Sequence, residues 1–216
     1  FDKVDAFMLK SNFHKSLFPQ LKNSNVVVCK NGLEDIFRQE NLQQYSNIKR
    51  EKLKFCYTSC YTRELDLILT YVWPEIHSRF PEAELHLFYG MDLVEPNTRK
   101  RLTNIIENSP NTYDHGRVNI KELTEIKFKF PFHLYVTNTI IEIDCLSIRE
   151  SAQCGCIPII SDKSVFAERQ GFHVNGDPQD KDYYENAVDS IIKFISNKDK
   201  VKKTMKKIKN KKEMYW

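Results

Sequence analysis

Two glutamates, Glu142 and Glu150, lie eight residues apart between two short apolar runs. The runs, HLYV from position 133 and CIPII from position 156, have the branched and aromatic composition of buried parallel strands. One carboxylate then follows the end of a strand and the other lies near the beginning of a helix, so both face the crevice where doubly wound sheets bind ligands. Because helix N-termini attract anions, a phosphate could bind between them.

Glu150 also has a structural alternative. Ser147 stands three residues before it, which is the spacing of a capping box, in which the glutamate would bond back to the N-cap of its own helix. Asp144 is a second candidate for that N-cap. Spacing alone leaves both the capping role and the ligand-binding role open.

Arg63 is the third candidate residue. It follows the strand-like run KFCYTS, residues 54–59, at the predicted beginning of a helix. A cation there opposes the helix dipole, which favours an anionic ligand beside it. A surface pair with Glu64 or Asp66 is the structural alternative. Since the strand ends of one sheet converge, we expect Arg63 and Glu142 at a common crevice.

The elements that position these residues alternate between strand and helix patterns, which predicts an α/β fold with a parallel, right-handed, doubly wound sheet. Pro74 lies inside a helix pattern and predicts a kink or a new first turn there. The polar segment 35–53 is expected to be a linker or exposed turn at a domain boundary. Strand patterns lie at 4–11, 25–29, 54–59, 84–90, 112–118, 133–136 and 156–160, and helix patterns at 11–21, 63–80, 99–108, 121–130 and 182–196.

The composition is that of a soluble globular protein, with 41% apolar and 12% aromatic residues among 216. The net charge is only +4, and a lysine-rich run at 198–212 carries much of the excess. No stacking aromatics alternate with these lysines, so we expect a solvated helix face and no nucleic-acid partner. The chain begins at Phe1 rather than methionine, so we expect a fragment of a longer or processed protein.

The six cysteines follow the pattern of a reduced, cytoplasmic protein. Cys154 and Cys156 have no second ligand pair, so we expect no zinc site. The sequence has no signal-peptide pattern and no apolar run of membrane length. It also has no glycine-rich dinucleotide motif, no Walker loop and no nucleophile elbow, so oxidoreduction with a dinucleotide, ATP hydrolysis and serine hydrolysis have no support.

Several segments, in order, resemble motifs from the carboxy-terminal, donor-binding half of the group 1 glycosyltransferases, which have the GT-B fold. YTSCYTREL at 57–65 resembles the family's Y-x-S-x-x-x-R-G-L, and HGRVNIKEL at 115–123 is similar to H-G-R-V-x-x-x-E-L. EIDCLSIRESAQCGCIPIISD at 142–162 resembles the family's paired-glutamate motif with its seven-residue spacer. The resemblance covers roughly residues 4–195 and implies a Rossmann-like domain, the C-terminal half of a GT-B fold.

The resemblance implies a role for each glutamate and for Arg63. Glu150 would hold the ribose hydroxyls of a nucleoside-diphosphate sugar, because a carboxylate accepts two hydrogen bonds from a diol. Glu142 would lie near the donor sugar and stabilise positive charge at its anomeric carbon. Arg63 would hold the diphosphate and neutralise the leaving group.

Other residues complete the implied pocket. The backbone N–H groups of Cys145 and Leu146 would bind the diphosphate at the beginning of a helix. Arg117 and Val118 would border the base, and Ser59 belongs to the same donor pocket. The resemblance implies no metal and no cofactor, and a UDP-, GDP- or ADP-sugar as the donor.

The resemblance also divides the chain. Residues 1–34 would be the end of an amino-terminal domain and the interdomain crossing, with the linker at 35–53. Residues 54–195 would be the nucleotide-sugar donor-binding domain, and 196–216 a basic C-terminal helix. The acceptor, a glycan, lipid or protein, would bind through another domain, and peripheral contact with a membrane is allowed. We expect this chain alone to bind the donor without transferring the sugar.

Three features depart from the family pattern. Glu64 replaces the glycine after the arginine and could crowd the phosphate, and Ser151 replaces an alanine. A second basic residue that many relatives have soon after Arg63 is missing. The leading hypothesis is a retaining, metal-independent glycosyltransferase, and the alternatives are a non-catalytic nucleotide-sugar-binding domain and a sugar-nucleotide epimerase of the same fold.

Overall fold

The computed structural model describes residues 4–92, 94–137, 141–180 and 182–209. Six of its strands form one parallel sheet, and the first two form a separate parallel pair. The strands are β1 (Phe7–Leu9), β2 (Val26–Val28), β3 (Lys54–Tyr57), β4 (Glu84–Leu87), β5 (Thr112–Asp114), β6 (Phe132–Tyr135), β7 (Ile157–Ser161) and β8 (Phe172–Val174).

Helices connect the strands. The α-helices are α1 (Asn12–Ser16), α2 (Gln39–Leu42), α3 (Leu65–Leu67), α4 (Trp73–Arg79), α5 (Pro96–Glu107), α6 (Ile120–Lys129), α7 (Leu146–Gln153), α8 (Tyr183–Ser196) and α9 (Lys198–Lys209). Short 3₁₀ helices lie at Pro19–Leu21, Asp35–Phe37, Gln43–Tyr45 and Ser164–Glu168, and a π-helical turn at Ile68–Val72 joins α3 to α4. None of the helices in the described part of the chain is long and apolar enough to cross a membrane.

The sheet has the order β5-β4-β3-β6-β7-β8 with every pair parallel. The chain runs outward from the central strand β3 to β5, returns to β6 beside β3, and then runs outward to β8. This order confirms the predicted doubly wound fold. It also places the topological switch point between β3 and β6, where ligand crevices open at the carboxyl ends of the strands.

Both faces of the sheet are covered, because neighbouring residues of a strand point to opposite sides. On β3, Phe55 packs into the larger apolar core, to which α4 and α8 contribute Ile76 and Ile191. Cys56 points to the other face and packs in a smaller cluster that includes Phe130, directly after α6. Strands β6 and β7 are buried along their whole length and β3 is buried from Phe55 onward, which explains why their sequences are mostly apolar.

Pro74 does not stop its helix. It lies in the first turn of α4, directly after the π-helical turn Ile68–Val72. Proline cannot donate the backbone hydrogen bond that a helix interior needs, and the wider turn accommodates this loss. The buried Trp73 donates from its indole N–H to the carbonyl of Pro110 at 2.6 Å, which fixes this junction against the end of α5.

The segment 35–53 is more ordered than the predicted linker or exposed turn. It contains three short helices, and Phe37 and Tyr45 are buried. Tyr45 stacks on Phe128 of α6 with ring centroids 5.2 Å apart. The guanidinium of Arg50 also donates to the carbonyl of Phe130 at 2.6 Å. Most of the segment is exposed, as predicted, but the expectation of exposure is wrong for Phe37 and Tyr45, because the surrounding glutamines and asparagines mask these two anchoring aromatic residues in the sequence. Its assignment as a linker at a domain boundary stays a prediction.

The remaining differences from the predicted pattern concern short elements, and parts of the two predicted end segments cannot be compared. Strand β8 and the 3₁₀ helix Ser164–Glu168 have no predicted counterpart, because each is too short to show a period. Helix α9 lies within the predicted basic helix. Residues 1–3 and 210–216, parts of the two predicted end segments, lie outside the described residues.

Candidate functional site

A cavity of about 650 Å³ opens at the carboxyl ends of β3, β4 and β6, beside the switch point of the sheet. Its volume falls in the range of small-molecule sites. Loops after the strands and the first turns of α7 supply its walls. All eight residues predicted for the donor pocket line it: Ser59, Arg63, Arg117, Val118, Glu142, Cys145, Leu146 and Glu150. The structure thus brings these residues together, while their individual roles stay predictions.

Arg63 lies in the loop between β3 and α3 and reaches across the switch point. Its Nη1 donates to Oε2 of Glu142 at 2.5 Å. The alternative of a local pair with Asp66 is wrong, because Asp66 accepts from Arg101 at 2.7 Å. Burial lowers the pKa of Arg63, but Tyr135 and the Glu142 carboxylate raise it more, so the guanidinium stays charged. Half of the Arg63 side chain is exposed, at 49%.

Glu142 binds the backbone that follows it. Its Oε1 accepts from the N–H groups of Ile143, Asp144 and Cys145 at 3.0, 3.2 and 3.2 Å. Three successive N–H groups aimed at one oxygen form an anion-binding nest. The Cys145 N–H, which was predicted to bind the diphosphate, therefore donates to Glu142 in the structure.

The Glu142 main chain is fixed from the other side by Ser164. The hydroxyl of Ser164 donates to the carbonyl of Glu142 at 3.0 Å, and the N–H of Val165 donates to the same oxygen at 3.2 Å. Cys145 ends the nest in a left-handed conformation, with φ 54°, and is the N-cap of α7. Burial, and then the nearby Glu142 carboxylate, raises the pKa of the Cys145 thiol to about 12. Its backbone is therefore better suited than its thiol to bind a ligand.

Glu150 does not cap α7, so the capping-box alternative is wrong. Its Oε2 accepts from Nζ of Lys127 at 2.7 Å, across the contact between α6 and α7. The N-cap residue, Cys145, makes no side-chain capping bond. With only 16% of its side chain exposed, Glu150 still lines the cavity. No sequence signal points to Lys127, because a lysine inside an amphipathic helix pattern usually predicts exposure.

Asp144 is not the N-cap either, and instead it is the centre of a buried ionic cluster. Its carboxylate accepts from Arg149 at 3.1 and 3.2 Å and from Arg169 at 2.7 Å. It also accepts from the N–H of Asn31 at 2.8 Å. Arg149 in turn donates to the carbonyl of Asn31 at 2.7 Å. This cluster ties the segment after β2 to the loop that carries Glu142, and both parts line the cavity.

The other end of the cavity is aromatic and partly basic. The guanidinium of Arg117 lies over the ring of Tyr89, 4.7 Å from its centroid. Phe88 stacks on His115 with centroids 4.6 Å apart. Gly90, with φ +80°, allows its own loop to approach the loop that carries Arg117. A Cβ at this position would lie only 3.2 Å from the backbone nitrogen of Arg117. A flat, partly charged end of this kind suits a nucleobase.

Glu64 does not crowd the cavity. It adopts the left-handed conformation that glycine would take without strain, with φ 57°. Its carboxylate accepts from the hydroxyl of Thr137 and is not among the groups that line the cavity. Within the described ranges, no group of three histidine, cysteine or acidic side chains is arranged to hold a metal ion.

No protein-family model matches the chain, and no curated protein matches its sequence. Solved structures match it closely in three dimensions. A GtfA/B complex aligns with a TM-score of 0.72 and 16% identity over 96% of this chain and 42% of the other. The pneumococcal O-GlcNAc transferase GtfA in complex with UDP and GlcNAc gives 0.70 and 14%, over 96% and 41%.

Anabaena HepE in complex with UDP and glucose aligns with a TM-score of 0.69 and 14% identity, over 95% of this chain and 57% of the other. The chain thus spans about half of the length of each of these structures. At this level of identity the likeness concerns the fold, and it agrees with the resemblance found in the motifs. The chain therefore has the fold of the Rossmann-like, carboxy-terminal half of the GT-B glycosyltransferases.

Proposed function

We propose that this chain is the donor-binding domain of a glycosyltransferase that takes a sugar from a nucleoside-diphosphate sugar. One observation carries the proposal. A guanidinium, a nest of backbone N–H groups and two carboxylates line a single cavity at the switch point of the sheet. These are the groups that a diphosphate, a ribose and a sugar require.

The groups that line the cavity suggest how the donor binds. Glu150, on α7, would accept hydrogen bonds from the ribose hydroxyls. Arg63 and the N–H groups that end at Cys145 would bind the diphosphate. The base would then lie toward Phe88, Arg117 and Val118.

Glu142 has a double role in this proposal. It occupies the donors that a diphosphate would use, so the nucleotide must displace its carboxylate from at least some of them. Displacement would bring the carboxylate beside the sugar, where it can stabilise positive charge at the anomeric carbon. Arg63 would then neutralise the departing diphosphate.

The finer parts of the proposal have separate supports. The retaining and metal-independent chemistry rests on the motif resemblance and on the ability of Arg63 and the nest to neutralise a diphosphate. Two of the three structural neighbours described above are complexes with UDP, so UDP-sugars are the first donors to test. Because the chain spans about half of these neighbours, the acceptor and the transfer step belong to the whole protein.

Isothermal titration with UDP-, GDP- and ADP-glucose tests the proposal directly. We expect one of them to bind, and Glu150→Gln to weaken that nucleotide by about 1–3 kcal/mol through lost ribose hydrogen bonds. Glu107→Gln, an exposed change on α5, serves as the matched control and should leave the affinity unchanged. Failure of all three sugars to bind at millimolar concentration would overturn the proposal.

The alternative functions predict different results. A non-catalytic binding domain would bind the nucleotide but show no turnover in the full-length protein. An epimerase would convert the donor sugar without an acceptor, whereas a transferase would form a glycosylated product. Glu64 would favour the non-catalytic alternative if it crowded the phosphate, but its carboxylate is bound to Thr137 and does not line the cavity.

A further inference from the structure

Lys127 is a charged side chain with no solvent exposure, on the inner face of α6. Its Nζ lies 2.7 Å from Oε2 of Glu150 and 3.4 Å from the carbonyl of Ser147. Burial lowers the pKa of Lys127, but the Glu150 carboxylate outweighs this, so the pKa is raised and the ammonium persists. A buried ammonium requires a counter-charge, and Glu150 supplies it.

Glu150 extends from this buried pair to the cavity. Within the described part of the chain, Lys127 is the only group that hydrogen-bonds the Glu150 carboxylate, and it binds Oε2. Oε1 therefore has no protein donor among those residues. A carboxylate that is anchored at one oxygen loses little rotational freedom when the other oxygen binds a ligand.

A buried hydrogen-bond chain fixes the surroundings of Lys127. The N–H of Thr58 donates to Nε2 of His133 at 3.4 Å, and Nδ1 of His133 lies 2.8 Å from the Ser151 hydroxyl. Ser151 donates to the carbonyl of Ser147 at 2.9 Å, the same oxygen that Lys127 approaches. Burial and the Lys127 charge lower the pKa of His133, so its ring is neutral and Nδ1–H donates to Ser151. These bonds connect the end of β3, strand β6 and helix α7, the helix that carries Glu150.

We infer that Lys127 is the positioning residue for ribose recognition, and that it makes the cavity selective for nucleotides that carry both ribose hydroxyls. Lys127 acts through Glu150, which it holds by one oxygen so that the other meets the diol. A nucleotide without these hydroxyls would leave Oε1 of Glu150 without a hydrogen-bond donor in a partly buried site, which weakens its binding. This inference rests on the proposed function, in which Glu150 binds the ribose.

Calorimetric titrations with UDP and with 2′,3′-dideoxy-UDP test the inference, because the two probes differ only in the hydroxyls. We expect the wild-type chain to prefer UDP by about 10- to 100-fold. Lys127→Met should reduce this preference several-fold, and Lys127→Arg, which keeps the charge, should restore part of it. Lys121→Met, an exposed change on the same helix, is the matched control and should keep the full preference.

A double-mutant comparison isolates the action through Glu150. Glu150→Gln and the double variant Lys127→Met/Glu150→Gln should show the same low preference, because Lys127 then has no carboxylate to hold. The double variant removes both charges, so it is expected to fold even if Lys127→Met alone does not. Circular dichroism checks that each variant is folded.

The outcomes separate this inference from the proposed function. An equal preference for UDP in wild type and in folded Lys127→Met would overturn the inference alone. The inference is also overturned if Lys127→Met weakens the binding of UDP and of 2′,3′-dideoxy-UDP by the same factor, because a purely structural role of Lys127 predicts that result. If the wild-type chain binds GDP or ADP instead of UDP, the comparison is made with that nucleotide and its 2′,3′-dideoxy form. If it binds none of the three nucleotides, the proposed function fails and the inference fails with it.

Discussion

The two glutamates of the site are held in opposite ways. Glu142 is bound by backbone N–H groups and by a half-exposed guanidinium, all of which open to the cavity. Glu150 is bound by an ammonium that no solvent reaches. A ligand can compete for the partners of Glu142, whereas it cannot reach the partner of Glu150.

This difference assigns a property to each carboxylate. The contacts of Glu142 are open to exchange, which suits the proposed displacement of its carboxylate by a diphosphate. The contact of Glu150 is closed to solvent, which suits the proposed role of presenting a fixed oxygen to a ribose. Asp144 lies between them in sequence and anchors the loop that carries Glu142 to the buried Arg149 and Arg169.

Loss of that anchor should have the largest effect. Asp144→Ala leaves the buried guanidinium groups of Arg149 and Arg169 without their shared carboxylate. Removing one partner of a buried ionic cluster costs about 3–5 kcal/mol. We therefore expect the free energy of unfolding to fall by an amount near the upper end of this range, measured by urea denaturation. Asp189→Ala, an exposed change on α8, should alter the stability by less than about 0.5 kcal/mol. A similar small effect for both variants would mean that the cluster contributes nothing.

Truncation of the two glutamates should lower the free energy of unfolding by different amounts. Glu150→Ala leaves the ammonium of Lys127 buried and unpaired, at a cost of about 3 kcal/mol in the free energy of unfolding. Glu142→Ala frees N–H groups that water can reach from the cavity, at a cost of about 1 kcal/mol, comparable to the loss of a helix cap. Urea denaturation of both variants measures the two values. The reverse order would contradict the distinction between contacts that are open to exchange and contacts that are closed to solvent.

Much of this arrangement is predictable from the sequence, and the exceptions have a common cause. The strand patterns around Glu142 and Arg63 are sufficient to predict a shared crevice, because the carboxyl ends of parallel strands meet at one edge. The role of Lys127 is not predictable, since it depends on how α6 packs against α7. The cluster around Asp144 joins residues more than one hundred positions apart, and local patterns carry no information about such pairs.

Glu142→Gln should reveal the competition between Glu142 and the diphosphate. The neutral amide no longer pairs with Arg63, so the guanidinium and the nest become available to the nucleotide. We expect UDP to bind about tenfold more tightly, which corresponds to about 1.4 kcal/mol, while sugar transfer by the full-length protein falls. Uridine lacks the phosphates and should bind equally to both forms in calorimetry. Unchanged or weaker binding of UDP would show that Glu142 shapes the nest rather than competing for it.

The smallest effect is expected beside Arg63, at Glu64. Its left-handed backbone strains a residue with a side chain by about 1 kcal/mol, and Glu64→Gly removes this strain. The same change removes the hydrogen bond from Thr137, worth about 1 kcal/mol, so the net change in stability should be below about 1 kcal/mol. Thr137→Val removes this hydrogen bond but leaves the left-handed backbone of Glu64 strained, so it should be the more destabilising of the two in urea denaturation. If Glu64→Gly destabilises the chain more than Thr137→Val does, the contacts of the Glu64 carboxylate stabilise the chain by more than its left-handed backbone strains it.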